Sequence, residues 1–211
     1  MLEHVYRVGL LGVAVALVGG IIYATWDRWF GDRRRALGAE DEGNVKQVLV
    51  VGLDGAGKTS VLHSLSTNTV KRSDGPTMMF NSVCVKTEET EIEFLEVGGG
   101  KSLRHCWSSH LPGSQALVYV VDSADRNRMP LAKKELHQLV QGHATLPVVV
   151  LANKQDIEGA CTISEIHEQL SLAKLGAKRK LFLIGTHVAE DGSQIPTSMH
   201  DAKELIAHLV I

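Results

Sequence analysis

The octapeptide Gly52-Leu53-Asp54-Gly55-Ala56-Gly57-Lys58-Thr59 constrains this chain more than any other feature. It fits G-x-x-x-x-G-K-[ST], with the apolar run Gln47–Val51 before it and a helical pattern, Lys58–Ser66, after it. A main chain wrapped around a polyphosphate needs glycine, because side chains would block its close approach to the anion. The loop amides from Asp54 through Gly55, Ala56, Gly57, Lys58, Thr59 and Ser60, with the helix N-terminus, then present positive charge to phosphates. Lys58 is placed to reach the β- and γ-phosphates, and the Thr59 hydroxyl to bind Mg²⁺. The expected chemistry is nucleotide phosphate binding.

Such a loop belongs at the carboxyl edge of a parallel sheet, and the residues after Val45 supply one. Strands are predicted at Gln47–Val51, Asn81–Lys86, Glu91–Glu96, Ala116–Val121, Pro147–Ala152 and Lys180–Ile184. Helices are predicted at Lys58–Ser66, Met129–Gln141, Ser164–Leu170 and Thr197–Val210. The runs Val48–Val51, Leu117–Val121 and Val148–Leu151 are continuously apolar, as in strands covered on both faces. The second and third strands, joined through Glu88-Glu89-Thr90, read as an antiparallel hairpin at one edge. The fold class is therefore α/β, a P-loop NTPase with a mostly parallel six-stranded sheet flanked by helices.

Asn153-Lys154-Gln155-Asp156 follows the fifth strand directly. Together with the loop Gly52–Thr59, this tetrapeptide resembles the Ras-like small GTPases, in particular the ADP-ribosylation-factor-like (Arf-like) branch, over residues 45–211. Within that branch the likeness is strongest to the pair numbered nine and ten. The resemblance implies the small-GTPase fold, with GTP or GDP and Mg²⁺ as ligands. It implies that Asp156 pairs with the guanine N1–H and amine, a bidentate charge-assisted contact that adenine cannot offer. By the same resemblance Asn153 ties the base loop to the phosphate loop, and the Lys154 stem covers the base. A further base contact, a backbone amide to guanine O6, falls on Gly185-Thr186-His187.

The two nucleotide-sensing segments depart from the family pattern. Pro76-Thr77-Met78-Met79-Phe80-Asn81 resembles the first switch, with Thr77 expected on Mg²⁺ and the γ-phosphate, but Met79 stands where the family has glycine. Glu96-Val97-Gly98-Gly99-Gly100 resembles the second. There Gly99 is expected to give its amide to the γ-phosphate, and Glu96, in place of aspartate, to reach Mg²⁺ through a water. Gly100 replaces the glutamine that orients the attacking water, and a hydrogen atom can orient nothing. Very slow intrinsic hydrolysis follows, because positioning and charge stabilisation are nearly all a protein contributes to phosphoryl transfer. Rescue by an activating protein, or by the neighbouring His105, stays open, as does a non-hydrolysing scaffold that recruits partners in one fixed state. No catalytic residue is assigned. Effector, exchange and activating proteins are expected at the switch segments.

Residues 1–30 read differently. From Val8 to Thr25 no residue is charged, and as a helix this run spans roughly 27 Å, close to a bilayer's hydrocarbon thickness. Tyr23, Trp26, Trp29 and Phe30 then fall at an interfacial position, and Arg28, Arg33, Arg34 and Arg35 follow, against Arg7 alone on the other side. That asymmetry places residues 45–211 in the cytosol, behind a signal-anchor in contact with membrane lipid through residues 8–25. A cleaved signal peptide is the competing reading. Gly12, Ala16 and Gly20 form a small-residue face that could let two such helices approach. Position 2 is Leu2, which excludes the glycine needed for myristoylation. Residues 31–44 read as a polar linker.

Composition narrows the remaining classes. A net charge of −2 gives no support to a nucleic-acid partner. Cys84, Cys106 and Cys161 have neither paired nor metal-ligand spacing, which suits a reducing compartment.

Overall fold

A computed structural model describes residues 45–67, 77, 79–87, 90–177, 179–188 and 194–210. The chain divides into two compact units, residues 1–44 and 45–211. The apolar run Val8–Thr25 and the linker lie outside the described residues, as do Pro76, Met78 and the turn residues Glu88 and Glu89. Among the described residues no helix is long and apolar enough to cross a membrane.

Six strands form one sheet: β1 (Val45–Val51), β2 (Phe80–Lys86), β3 (Glu91–Val97), β4 (Ala116–Asp122), β5 (Val148–Asn153) and β6 (Leu181–Gly185). Their order is β2-β3-β1-β4-β5-β6. Only β2, paired with β3, runs antiparallel, which makes the hairpin an edge as expected. The uninterrupted apolar character of β4 and β5 has its cause here. Every residue of β5, and every residue of β4 but the last, is buried, because helices cover both faces of a parallel sheet.

The helices are α1 (Lys58–Thr67), α2 (Trp107–His110), α3 (Met129–Val140), α4 (Ile163–Gln169), α5 (Ala173–Gly176) and α6 (Thr197–Val210). One face of α6, Met199, Ala202, Ile206 and Val210, joins Val61, Leu62 and Leu65 of α1 over the sheet in a single core. That spacing is the i, i+3, i+7 stripe of an amphipathic helix. The sequence reading differs at Leu103–Gly113, where three short turns, Arg104–Cys106, α2 and Leu111–Gly113, replace an unassigned loop. Trp107 is what folds this segment. Its ring is buried edge-on against Tyr119, an anchor with no counterpart in helical periodicity.

Beyond β1 the chain goes first to β2 and β3 on one side of the sheet, then to β4, β5 and β6 on the other. The carboxyl end of β1 is therefore the topological switch point, where ligands of such sheets bind. The loop Gly52–Gly57 sits there.

Candidate guanine-nucleotide site

The phosphate loop owes its shape to packing as well as to glycine. Gly55 and Gly57 have φ of +78° and +88°. Lys58, in the first turn of α1, is buried, and its ammonium donates to the Leu53 carbonyl at 3.0 Å. Burial holds the Lys58 pKa below its ordinary value, opposed in part by the carboxylates of Glu96 and Asp54. A polyphosphate in the loop would restore it, since a nearby anion favours the charged form.

Thr59 from α1, Thr77 from the segment before β2, and Glu96 from β3 converge on one point. The Glu96 carboxylate accepts from the Thr59 hydroxyl at 2.7 Å and from the Thr77 hydroxyl at 2.8 Å, and the two hydroxyls lie 2.8 Å apart. Asn81 steadies the other carboxylate oxygen at 3.3 Å. Among the described residues no three His, Cys, Asp or Glu side chains form a metal cluster. The set present offers hard oxygens and one negative charge. It fits Mg²⁺, which keeps several waters and takes substrate phosphates rather than a full protein cage.

Gly99 lies against this loop. A Cβ on it would overlap the backbone of Gly52, Leu53 and Asp54, so no other residue lets the second switch approach so closely. Gly98 just before it donates to the Met79 carbonyl at 3.0 Å and accepts from the Trp107 indole at 3.0 Å. Among the described residues the Gly99 amide meets no acceptor. Gly100 is the opposite case: a Cβ there would have no atom within 4 Å.

On the base side, the Asn153 amide donates to the Ala56 carbonyl at 2.9 Å, which joins the loop after β5 to the phosphate loop. Lys154 has φ of +65°, and its ammonium is held at 2.6 Å by Asp122 at the end of β4. Asp156 is exposed, and among the described residues its carboxylate accepts no hydrogen bond.

The third base segment needs correcting. The Thr186 amide donates to the Ala152 carbonyl at 2.9 Å, so it is not available to a base. Thr186 is buried, with its hydroxyl donating to Asn153 Oδ1 at 3.3 Å. Gly185 lies inside β6 opposite Ala152. A Cβ there would come 2.8 Å from Ile163 of α4, so its glycine serves packing. The amides that the strand pairing leaves over begin at His187, the last residue of the expected segment, and continue to Val188.

Sequence reasoning did not assign Arg128, Asp122 or Trp107. Arg128 donates to both the carboxylate and the carbonyl of Asp54. The only trace of these roles in the sequence is position: Asp122 closes β4, and Arg128 and Trp107 lie in the segments that follow β4 and β3.

With this geometry in hand, comparison with known proteins decides the family. The profile of the ADP-ribosylation factor family matches residues 37–203. This chain belongs to that family. ADP-ribosylation factor-like protein 9 of Homo sapiens is 55% identical over 164 residues, covering 78% of this chain and 88% of its own length. ADP-ribosylation factor-like protein 10 of Mus musculus is 37% identical over 183 residues, covering 86% and 75%. Among solved structures, the Arl6 BBS3 small GTPase of Trypanosoma brucei with the bound nucleotide analogue GppNp superposes with a TM-score of 0.69. It covers 79% of this chain and 97% of its own at 22% identity, a likeness of fold alone. As an Arf-family small GTPase the chain is a guanine-nucleotide-binding switch protein that takes GTP or GDP with magnesium.

Proposed function

We propose that the chain is a membrane-anchored Arf-like switch whose nucleotide turns over only very slowly on its own. In this reading the amides of residues 54–60 and Lys58 hold the phosphates, and Thr59, Thr77 and Glu96 hold magnesium. Gly99 reads the γ-phosphate, and Asn153, Lys154 and Asp156 hold the guanine, with an amide from His187 or Val188. The observation that carries it is the meeting of Thr59, Thr77 and Glu96 within hydrogen-bonding distance under the phosphate loop. Three separate segments bring complementary oxygens to the place where a metal on a β,γ-phosphate would sit.

Slow hydrolysis rests on Gly100. Its Cβ direction faces open space, and Arg104 beside it is spent on Gly99, Asp54 and Glu135 rather than aimed at the phosphate side. Gly100 therefore supplies no side chain to position a water, and Arg104 is not available as a cis arginine. The same opening favours a second reading, a GTP-bound scaffold that does not hydrolyse at all.

Single-turnover hydrolysis of GTP by the full chain and by Gly100→Gln separates these. A Cβ at Gly100 meets no atom within 4 Å, so the variant is expected to fold normally and to hydrolyse at least about tenfold faster, a modest share of what water positioning supplies. Equal rates in both proteins would remove the assigned role of Gly100. Asp156→Asn is expected to move base preference from guanine toward xanthine nucleotides, read by competition; unchanged selectivity removes Asp156 as the base reader. Membrane anchoring rests on the length and flanks of Val8–Thr25. Alkaline extraction of membranes carrying the full chain is expected to leave it in the pellet, whichever nucleotide is bound, and release into the supernatant overturns it.

A further inference from the structure

The loop residue Asp54 carries a carboxylate into a site built for anions, and the structure shows what restrains it. Arg128, at the start of α3, donates to its Oδ2 at 3.2 Å and to its main-chain oxygen at 3.1 Å. Arg104, from the turn after β3, donates to its Oδ1 at 3.2 Å. Burial by itself would raise the Asp54 pKa, but its backbone hydrogen bond and the two guanidinium charges hold it below the ordinary carboxylate range. The charge is thus kept neutralised by two guanidinium groups.

Arg104 links more distant elements than Arg128, whose remaining nitrogen, Nε, goes to the nearby Asp125. Arg104 Nε donates to the Gly99 carbonyl at 2.8 Å, and NH1 lies 3.6 Å from the Glu135 carboxylate of α3. Its side chain is only 13% exposed. A planar guanidinium fork presents its donors in fixed directions, so these three partners fix one another. Gly99 and the phosphate loop already touch through their backbones. Trp107 fixes the preceding peptide through the Gly98 carbonyl, and a planar trans peptide then points the Gly99 amide the opposite way. Arg104 fixes the peptide that follows.

We propose that Arg104 is a positioning residue for the triphosphate state, a latch that ties the second switch at Gly99 to the phosphate loop at Asp54 and to α3 at Glu135. The inference rests on the proposed contact of the Gly99 amide with the γ-phosphate. Diphosphate is held by the loop amides, Lys58 and the base segment; of these Arg104 meets only the Asp54 side chain, which Arg128 keeps in place without it. Only the γ-phosphate depends on where Gly99 sits. Loss of Arg104 therefore weakens triphosphate selectively.

The test is dissociation of fluorescent GDP and of a fluorescent non-hydrolysable GTP analogue from the full chain with magnesium. In Arg104→Ala the analogue is expected to leave about ten- to a hundredfold faster, the effect of one lost charge-assisted hydrogen bond. GDP is expected to stay within about twofold, since no bond to it is lost. Glu135→Gln should change the analogue's rate in the same direction and by less. If Arg104→Ala does not fold, Arg104→Lys decides, because the three acceptors are spaced around three separate nitrogens, which a single ammonium nitrogen cannot reach together, and the same selective loss is expected. Equal acceleration of both nucleotides, or an unchanged analogue rate beside normal GDP binding, overturns the latch and leaves the nucleotide reading intact. A wild-type chain that takes neither nucleotide removes that reading and the latch with it.

Discussion

Gly57 shows how one residue serves two sites at once. Its φ of +88° suits glycine, and a Cβ would come 2.5 Å from the Asn153 amide nitrogen. That nitrogen is the donor tying the base segment to Ala56. Gly57→Ala is therefore expected to destabilise the fold by about 1–3 kcal/mol from strain and a displaced buried amide. It should also weaken GDP and GTP alike, because the tie holds the base and phosphate segments together for both. Thermal melting without nucleotide, and equilibrium binding, check the two halves. The glycines were legible as a motif. The encounter with Asn153, 96 positions away in sequence, was expected only through family likeness. Nor could local sequence show that Thr186 spends its amide on Ala152, because which amides a strand consumes depends on register with its neighbour.

At the scale of elements, α4 follows the base segment and is set by a local signal. Thr162 caps it, accepting from the Glu165 amide at 3.3 Å, while the Glu165 carboxylate accepts from the Thr162 amide at 2.8 Å. This reciprocal box satisfies two amides that the first helical turn leaves over. Those bonds to Thr162, with the Arg126 ion pair, draw the Glu165 pKa from 4.5 down to about 2. A carboxyl depressed in the folded state stabilises it above the unfolded pKa, and the contribution fades as pH falls through the folded pKa. Acid unfolding monitored from pH 5 to pH 2 is expected to show a flatter stability loss in Glu165→Gln than in the wild type. Identical acid limbs would mean that the box does not set this carboxyl. Local chemistry of this kind can be seen in a sequence, and the predicted helix began within one residue of the observed start. The turns around Trp107 could not, since their stability comes from a ring buried against β4 rather than from periodicity.

For the whole folded unit, nucleotide binding is expected to add to stability. Lys58 is buried beside Glu96, and the hydroxyls of Thr59 and Thr77 turn onto the same carboxylate. A ligand that binds only the folded state stabilises it by mass action. GDP with magnesium at a hundred times its dissociation constant is expected to add about 2.7 kcal/mol. For a unit of this size that raises the melting temperature by about 5–10 °C. Differential scanning fluorimetry with GDP and magnesium, and again after chelation, measures it. ADP with magnesium serves as the control that should leave the curve in place.

The sequence by itself determined the six strands, the four longer helices between them, the edge hairpin, the phosphate loop and the guanine motif. These are written in short contiguous runs, where backbone propensity and a period of two or 3.6 residues decide the outcome. Only the tertiary structure decided which distant groups meet. Arg104 and Arg128 close on Asp54 from two different elements, Asp122 restrains Lys154, and the register of β6 on β5 uses up Thr186. Those outcomes depend on the packing of segments far apart in the chain, and no local pattern encodes the direction in which a side chain finds its partner.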